Sequence, residues 1–245
     1  MKRLMFGKLP KKEDGRTLQM ARYSIELALP PLSFDNLSRV YANLKTTNTA
    51  KLFPIDGNDK YGDCVMAGAA HFITHWNGLI GKEIIPSECS VIKQYKKLTG
   101  GVDNGLVMLD TLKIWKNESF FSDQIIAFVE IDPKNHIHVQ QSIQLFGGVY
   151  LGFRVQENAV SDFDIHKIWT PGILTNGGHC IDALNYDQDK VTNLTWGDRQ
   201  DGTWDWWDET VDECYAIIPP QAKDPTFAPG FDYDLLMSDL AHVSK

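Results

Sequence analysis

The rhythm of apolar positions changes partway along the chain. In the first half it is helical. Val65, Met66, Ala67, Ala69, Ala70, Phe72 and Ile73 are too densely apolar for a one-sided surface helix, which predicts a buried helix over 64–80. "SECSVIKQYKKLTGG" opens on a Ser87/Glu88 cap signal and stops at Gly100-Gly101. "NGLVMLDTLKIWKN" carries Leu106, Leu109, Leu112 and Trp115 at helical spacing. Short apolar runs bounded by turns then take over. Strands are expected at Gln124–Asp132, Gly147–Val155, Gly177–Asp187, Lys190–Gly197 and Glu213–Pro220, with a short helix over "HVQQSIQLFG" and a hairpin turn at "YDQDK". Helices first and strands later predict an α+β fold, a helical part with a buried central helix facing an antiparallel sheet. Residues 1–55, rich in Pro, Lys and Asn and broken at Pro30-Pro31, read as an arm wrapping a domain over 56–220. Residues 221–245 read as a linker, "QAKDPTFAPGF", and a small helix, "DYDLLMSDLAHV".

Cys64 lies at the seam between a polar loop, "DGNDKYGD", and the buried helix. With Asp63 as N-cap, the thiol falls in the first helical turn, where the helix dipole and unpaired N–H groups favour thiolate. The neighbouring Asp63 charge acts against that, raising the thiol pKa. Two readings stand for Cys64: a small buried hydrophobe, or a nucleophile and the most reactive of the four cysteines. His179 opens a strand after the flexible Asn176-Gly177-Gly178 and could face that helix start, pairing with the thiol as base. The alternative is a turn histidine bonded to nearby backbone. Cys180 alternates to the opposite face and reads as packing. Trp196, Trp204, Trp206 and Trp207 read as packing rather than a carbohydrate platform.

Composition narrows the class. Hydrophobic residues make up 43% and charged residues 23%, ordinary for a globular protein. A net charge of −8 argues against general nucleic-acid binding. "MKRLMFGKLPKKEDGR" has no apolar run behind its basic residues, so no secretory signal is expected. No stretch approaches a membrane span, and a cytoplasmic setting, or export without a cleaved signal, is expected. The spacing of Cys64, Cys89, Cys180 and Cys214 suits neither a disulfide framework nor a structural zinc site. His71 and His75, four apart, could chelate a metal, but no glutamate of the HExxH kind accompanies them, and packing is the expectation. "NHIH" (Asn135–His138) reads as a solvated turn. No metal and no cofactor are expected.

Several segments, in order, resemble the papain-like cysteine peptidase superfamily. These are "NDKYGDC" with a buried helix behind it, "VDNGLVMLDTLKIWKNESF", "IQLFGGVYLGF", "GGHCIDALNYD" and "LTWGDRQDGTWDWWDE", over roughly residues 55–220. The resemblance implies that Cys64 is the nucleophile and His179 its base. It further implies that Asn58, six residues before Cys64, stands where the superfamily has an oxyanion-stabilising glutamine. Trp196 would shield the histidine's second hydrogen bond. The superfamily's catalytic asparagine, two residues before the Trp-Gly pair, is Leu194 here; on a regular strand Leu194 and Trp196 share a face and Asn193 points the other way. Thr195 or Asp198 could orient His179 instead, Asn193 could do so through a bulge, or a bare Cys-His dyad remains. The chain also lacks the superfamily's cysteine three before the nucleophile and tryptophan after it, having Tyr61 and Val65, which suggests a distant, bacterial branch.

The expected activity is a thiol hydrolase that cleaves an amide or peptide bond of a peptide or protein substrate through a slow Cys-His dyad, with no side chain bonded to the far side of the ring, and an acyl-enzyme. The alternatives are a deamidase or transglutaminase-type acyl transferase, or an inactive papain-like scaffold that binds a protein partner.

Overall fold

The structure, a computed structural model, describes residues 4–23, 29–220 and 232–243. The chain enters over residues 4–23 in mainly irregular backbone. It then forms β1 (Phe34–Asp35), α1 (Asn36–Leu44), α2 (Thr49–Leu52), α3 (Cys64–Leu79), α4 (Glu88–Leu98) and α5 (Met108–Asn117). The sheet-rich half follows: β2 (Ala127–Ile131), α6 (His136–Phe146), β3 (Val149–Gln156), α7 (Ala159–Asp164), β4 (Leu174–Tyr186), β5 (Lys190–Thr195), β6 (Asp198–Thr203), α8 (Trp204–Thr210) and β7 (Val211–Ile218). α9 (Tyr233–Val243) comes last, while the expected linker over 221–231 lies outside the described residues. The strands run in the order β2-β7-β3-β4-β5-β6, antiparallel throughout, with β1 added against β4. The fold is the expected α+β arrangement.

The sheet buries both faces, because β3, β4 and β5 carry apolar side chains on alternate positions in both directions. On one face α3 packs with α1, α4 and α5 around Val65, Phe72, Ile73, Trp76, Leu109 and Trp115, meeting Tyr150, Cys180, Leu184 and Leu194 from the sheet. On the other face α6 and α8 cover Leu151, Phe153, Ile181 and Ala183, with Trp169, Trp196, Trp206 and Trp207 filling the space. Every residue of α3 from Cys64 to Gly78 is buried, which is why its sequence shows no polar stripe. The four tryptophans expected as packing do pack: Trp206 and Trp207 are fully buried, Trp196 nearly so, and Trp204 lies against Trp207.

Two local expectations differ from the structure, and two elements had none. "NHIH" is not a free turn: Asn135 caps α6 by accepting from His138 N at 3.2 Å, and His136 stacks on Trp204 at 4.4 Å. The segment over 1–55 divides. Its first part lies across the molecule, but Leu37, Val40, Leu52 and Phe53 belong to the core around α3. The polar "DRQDGT" forms the edge strand β6, and "WDWWDET" forms helix α8, capped by Thr203 accepting from Trp206 N. An edge strand with few apolar residues leaves no alternating signal to read.

Candidate active site

Cys64 begins α3 where the polar loop 56–63 meets the sheet. Asp63 occupies the N-cap position, but its carboxyl makes no capping bond. It accepts instead from Asn58 Nδ2 at 3.2 Å, and burial pushes its pKa up to about 8. The second N–H of Asn58 goes to the Tyr61 carbonyl at 3.0 Å, so both amide protons are held within the loop. Across the seam, β4 brings His179 to the same small cavity. Asn58, Cys64, His179, Leu194, Thr195 and Trp196 line it, and about 10 Å³ of space remains, barely a water molecule.

Register decides which residue reaches the imidazole. β4 and β5 pair Asp182 with Leu194 and Ala183 with Asn193. Odd-numbered residues of β4 and β5 therefore share a face here, and Thr195 is the one nearest His179 along the strands. Thr195 Oγ1 lies 2.8 Å from His179 Nε2, both buried. The expected vacancy opposite the ring is thus filled by a hydroxyl. Asn193 points to the same face as His179, but it sits against Ala183, farther along the strand, and donates to the Gln200 carbonyl at 3.1 Å. Asp198 accepts from Arg199 N at the edge of the sheet. Neither makes a hydrogen bond to His179. Leu194 lies on the opposite face, packed with α3, and borders the cavity from the Cys64 side without a polar group to offer the ring.

Trp196 departs from the expectation that it shares a face with Leu194. The strand ends in a left-handed turn, with φ +48° at Trp196 and +85° at Gly197. The turn folds the indole onto His179, ring centroids 4.5 Å apart and planes 18° from parallel. Glycine at 197 accommodates the second left-handed residue without steric cost. Phe153 and Phe6 meet the imidazole edge-on.

This aromatic enclosure sets the protonation states. Burial lowers the His179 pKa to about 3. Burial raises that of the Cys64 thiol to about 11, and backbone hydrogen bonds from Cys180 and Gly7 only partly oppose it. In this arrangement both groups are neutral at pH 7. Cys64 is 1% exposed while Cys89 is open to solvent, so in the closed chain Cys89 is the more accessible of the two thiols. His179 Nδ1 is buried with no hydrogen-bond partner.

The cover is the N-terminal segment itself, part of the stretch expected to wrap the domain. Residues 5–9 cross the cleft and bond to both walls. On the helical side Met5 N donates to Asn58 O at 2.9 Å, Leu106 N to Gly7 O at 2.9 Å, and Leu9 N to Leu106 O at 2.9 Å. On the sheet side Lys8 N donates to Gly178 O at 3.1 Å, the residue before His179. Gly7 lies so close to Gly62 that a Cβ at position 7 would overlap the Gly62 backbone. The signal was present in sequence as glycines at 7, 62, 105 and 178, but only their meeting in space gives it meaning.

His71 lines the cavity behind Cys64, with Nε2 2.8 Å from the Pro54 carbonyl. His75, one turn on, is buried, and burial lowers its pKa to about 3. The two do not converge on a common point, and among the described residues no group of three His, Cys, Asp or Glu side chains is arranged to hold a metal ion.

The architecture is that of the papain-like cysteine proteases. The chain is similar to xylellain, a cysteine protease from Xylella fastidiosa, at 16% identity and a TM-score of 0.62, covering 89% of this chain and 97% of that one. It is also similar to the cysteine protease CMS1MS2 from Carica candamarcensis, solved in complex with E-64, at 12% identity and a TM-score of 0.56, covering 77% of this chain and 99% of that one. At these identities the likeness is one of fold. No family model matches the sequence, and no curated protein matches it. Among the described residues no helix is long and apolar enough to cross a membrane.

Proposed function

We propose that the chain is a thiol hydrolase that cleaves peptide or amide bonds, with Cys64 as nucleophile, His179 as base and acid, and Thr195 as the residue that positions the imidazole. The observation that carries this reading is the convergence of Cys64 and His179 on one cavity, with Nε2 engaged by Thr195 and Nδ1 unpartnered. When Nε2–H donates to Thr195 Oγ1, Nδ1 holds a free lone pair and is the atom that takes the thiol proton. The thiolate sulfur attacks the substrate carbonyl carbon. The C–N bond then breaks as the imidazolium returns its proton to the leaving nitrogen. Water, deprotonated by the same nitrogen, cleaves the thioester to the acid and restores the thiol. The Cys64 backbone N–H, in the first turn of α3, faces the developing oxyanion. Asn58 supplies a second donor by releasing its longer bond, the one to Asp63 at 3.2 Å. A neutral hydroxyl opposite the ring stabilises imidazolium less than a carboxylate does, so slow turnover is expected.

The burial of Cys64 and His179 supports a second reading, an inactive scaffold, since it leaves both groups neutral. A Gly7→Ala variant separates the two, because a Cβ at position 7 overlaps the Gly62 backbone and opposes seating of the segment in the cleft. Peptide hydrolysis by this variant, lost in Gly7→Ala/Cys64→Ser, is the expected result. Equal rates with and without the thiol would leave only the scaffold.

A further inference from the structure

The segment over the cleft is anchored by one side chain. The Lys8 side chain is 2% exposed, and its ammonium lies 2.8 Å from Asp212 Oδ1 and 3.0 Å from Glu213 Oε1. Glu213 is completely buried; its other oxygen accepts from Tyr215 OH at 2.9 Å. Two neighbouring residues of one strand ordinarily point to opposite faces. Here β3 and β7 pair Gly152 with Glu213 but Phe153 with Val211, so Asp212 is an extra, bulged residue, and both carboxylates turn to the same ammonium. The lysine stem reaches them over Gly152, where a Cβ would overlap Lys8 Cε, and beside Met108 Sδ. The result is a narrow slot with an apolar wall, a glycine floor and two acids at its end. It lies next to Gly178 and Leu106, whose backbones bond the segment as they would bond an extended peptide.

We infer that this slot is a specificity pocket for the lysine or arginine side chain of a substrate, and that Lys8 fills it in cis. The inference rests on the hydrolase reading for its biological sense but not for its geometry. The slot is lined by residues of β3, α5 and β7, so its walls belong to the domain and not to the segment. Emptied, it presents the two carboxylates of Asp212 and Glu213 to a cation of the right reach. An uncharged side chain of the same length fills the slot but leaves Glu213 unpaired. Arginine and lysine both satisfy it, and arginine reaches both acids with its fork.

Two measurements on the full chain test this. The first is iodoacetamide labelling of Cys64, with Cys180 and Cys214 as buried controls for folding. Lys8→Ala is expected to raise the Cys64 rate at least tenfold while Cys180 and Cys214 stay protected; Lys8→Arg is expected to remain closed. An unchanged Cys64 rate in Lys8→Ala overturns the anchoring role. The second is binding of short synthetic peptides to Lys8→Ala/Cys64→Ser, which needs no turnover. Peptides carrying lysine or arginine are expected to bind at least tenfold more tightly than the same peptide with norleucine. Adding Glu213→Gln should erase the difference. Equal binding, or none, overturns the pocket. Because binding is read without the thiol, a pocket that discriminates in a chain that does not hydrolyse refutes only the catalytic reading. Hydrolysis in Gly7→Ala indifferent to the basic side chain refutes only the pocket.

Discussion

Thr195→Val removes one hydroxyl and preserves the volume. In the folded protein that hydroxyl meets His179 Nε2 at 2.8 Å, beneath Trp196 and out of reach of solvent. Valine offers no partner, so an imidazole N–H is left buried and unsatisfied, at a cost of about 1–3 kcal/mol. The ring escapes part of this cost by flipping or changing tautomer, and either change moves the proton away from the nitrogen that should be bonded to position 195. The same free energy taken from the working orientation corresponds to a loss of ~5- to 150-fold in kcat. Two assays are needed, because a general loss of packing would also slow the enzyme. Peptide hydrolysis in the Gly7→Ala background gives kcat. Nitrogen-15 spectra of the His179 ring report which nitrogen carries the proton. The expected outcome is a kcat loss with KM little changed, together with a shifted tautomer, and recovery of both in Thr195→Ser. A Thr195→Val enzyme with wild-type kcat and an unchanged ring spectrum refutes the assignment of Thr195 as the positioning residue.

Further expectations concern residues around the same cavity. Leu194→Asn should not rescue catalysis, since Leu194 faces the α3 core; it should destabilise the fold by about 2–5 kcal/mol in urea unfolding. Asn58→Ala should lower kcat by ~10²-fold, the usual consequence of losing one oxyanion donor, and an unchanged rate would make Asn58 only a loop residue. Asp63 has a folded-state pKa raised to about 8 by burial, from an ordinary 3.8, so between these values the native state holds a proton that the unfolded chain releases. Stability from this group is therefore complete below pH 4 and falls as pH rises toward 8, by up to about 1.4 kcal/mol per pH unit. Asp63→Asn should flatten the fall, read as the urea midpoint between pH 4 and 8.

Much of the site was legible because local pattern carries it. A cysteine between a turn-rich loop and an apolar run, and a histidine between glycines and a strand, can be read without any distant contact. Thr195 could be named from sequence but not separated from Asn193 and Asp198. That choice depends on the register of β4 against β5, which includes a shift between Ala183 and Asn185, and on the left-handed exit at Trp196. Leu194 misled for the same reason: counting back from Trp-Gly assumes a straight strand. A wrapping arm was legible, but not that it crosses the cleft. Lys8 and Asp212 are 204 positions apart, and a lysine in a basic N-terminal stretch reads as solvated until its partner is known. One clue did exist, since "VDECYAII" places two adjacent acids in an otherwise apolar strand.

The bonds of the covering segment also make the cleft a two-state element with a measurable population. The amides of Met5, Lys8, Leu9 and Leu106 are protected by one event, the seating of residues 5–9. They should therefore exchange with solvent deuterium together, at a rate set by how often the segment lifts and not by global unfolding. Every competing peptide meets only the lifted fraction, so its apparent affinity is weakened by that fraction. If lifting costs about 3 kcal/mol, roughly one molecule in 150 is open at a time. The exchange of four backbone amides then gives the factor by which the resting chain falls short of the uncovered one, before any substrate is known.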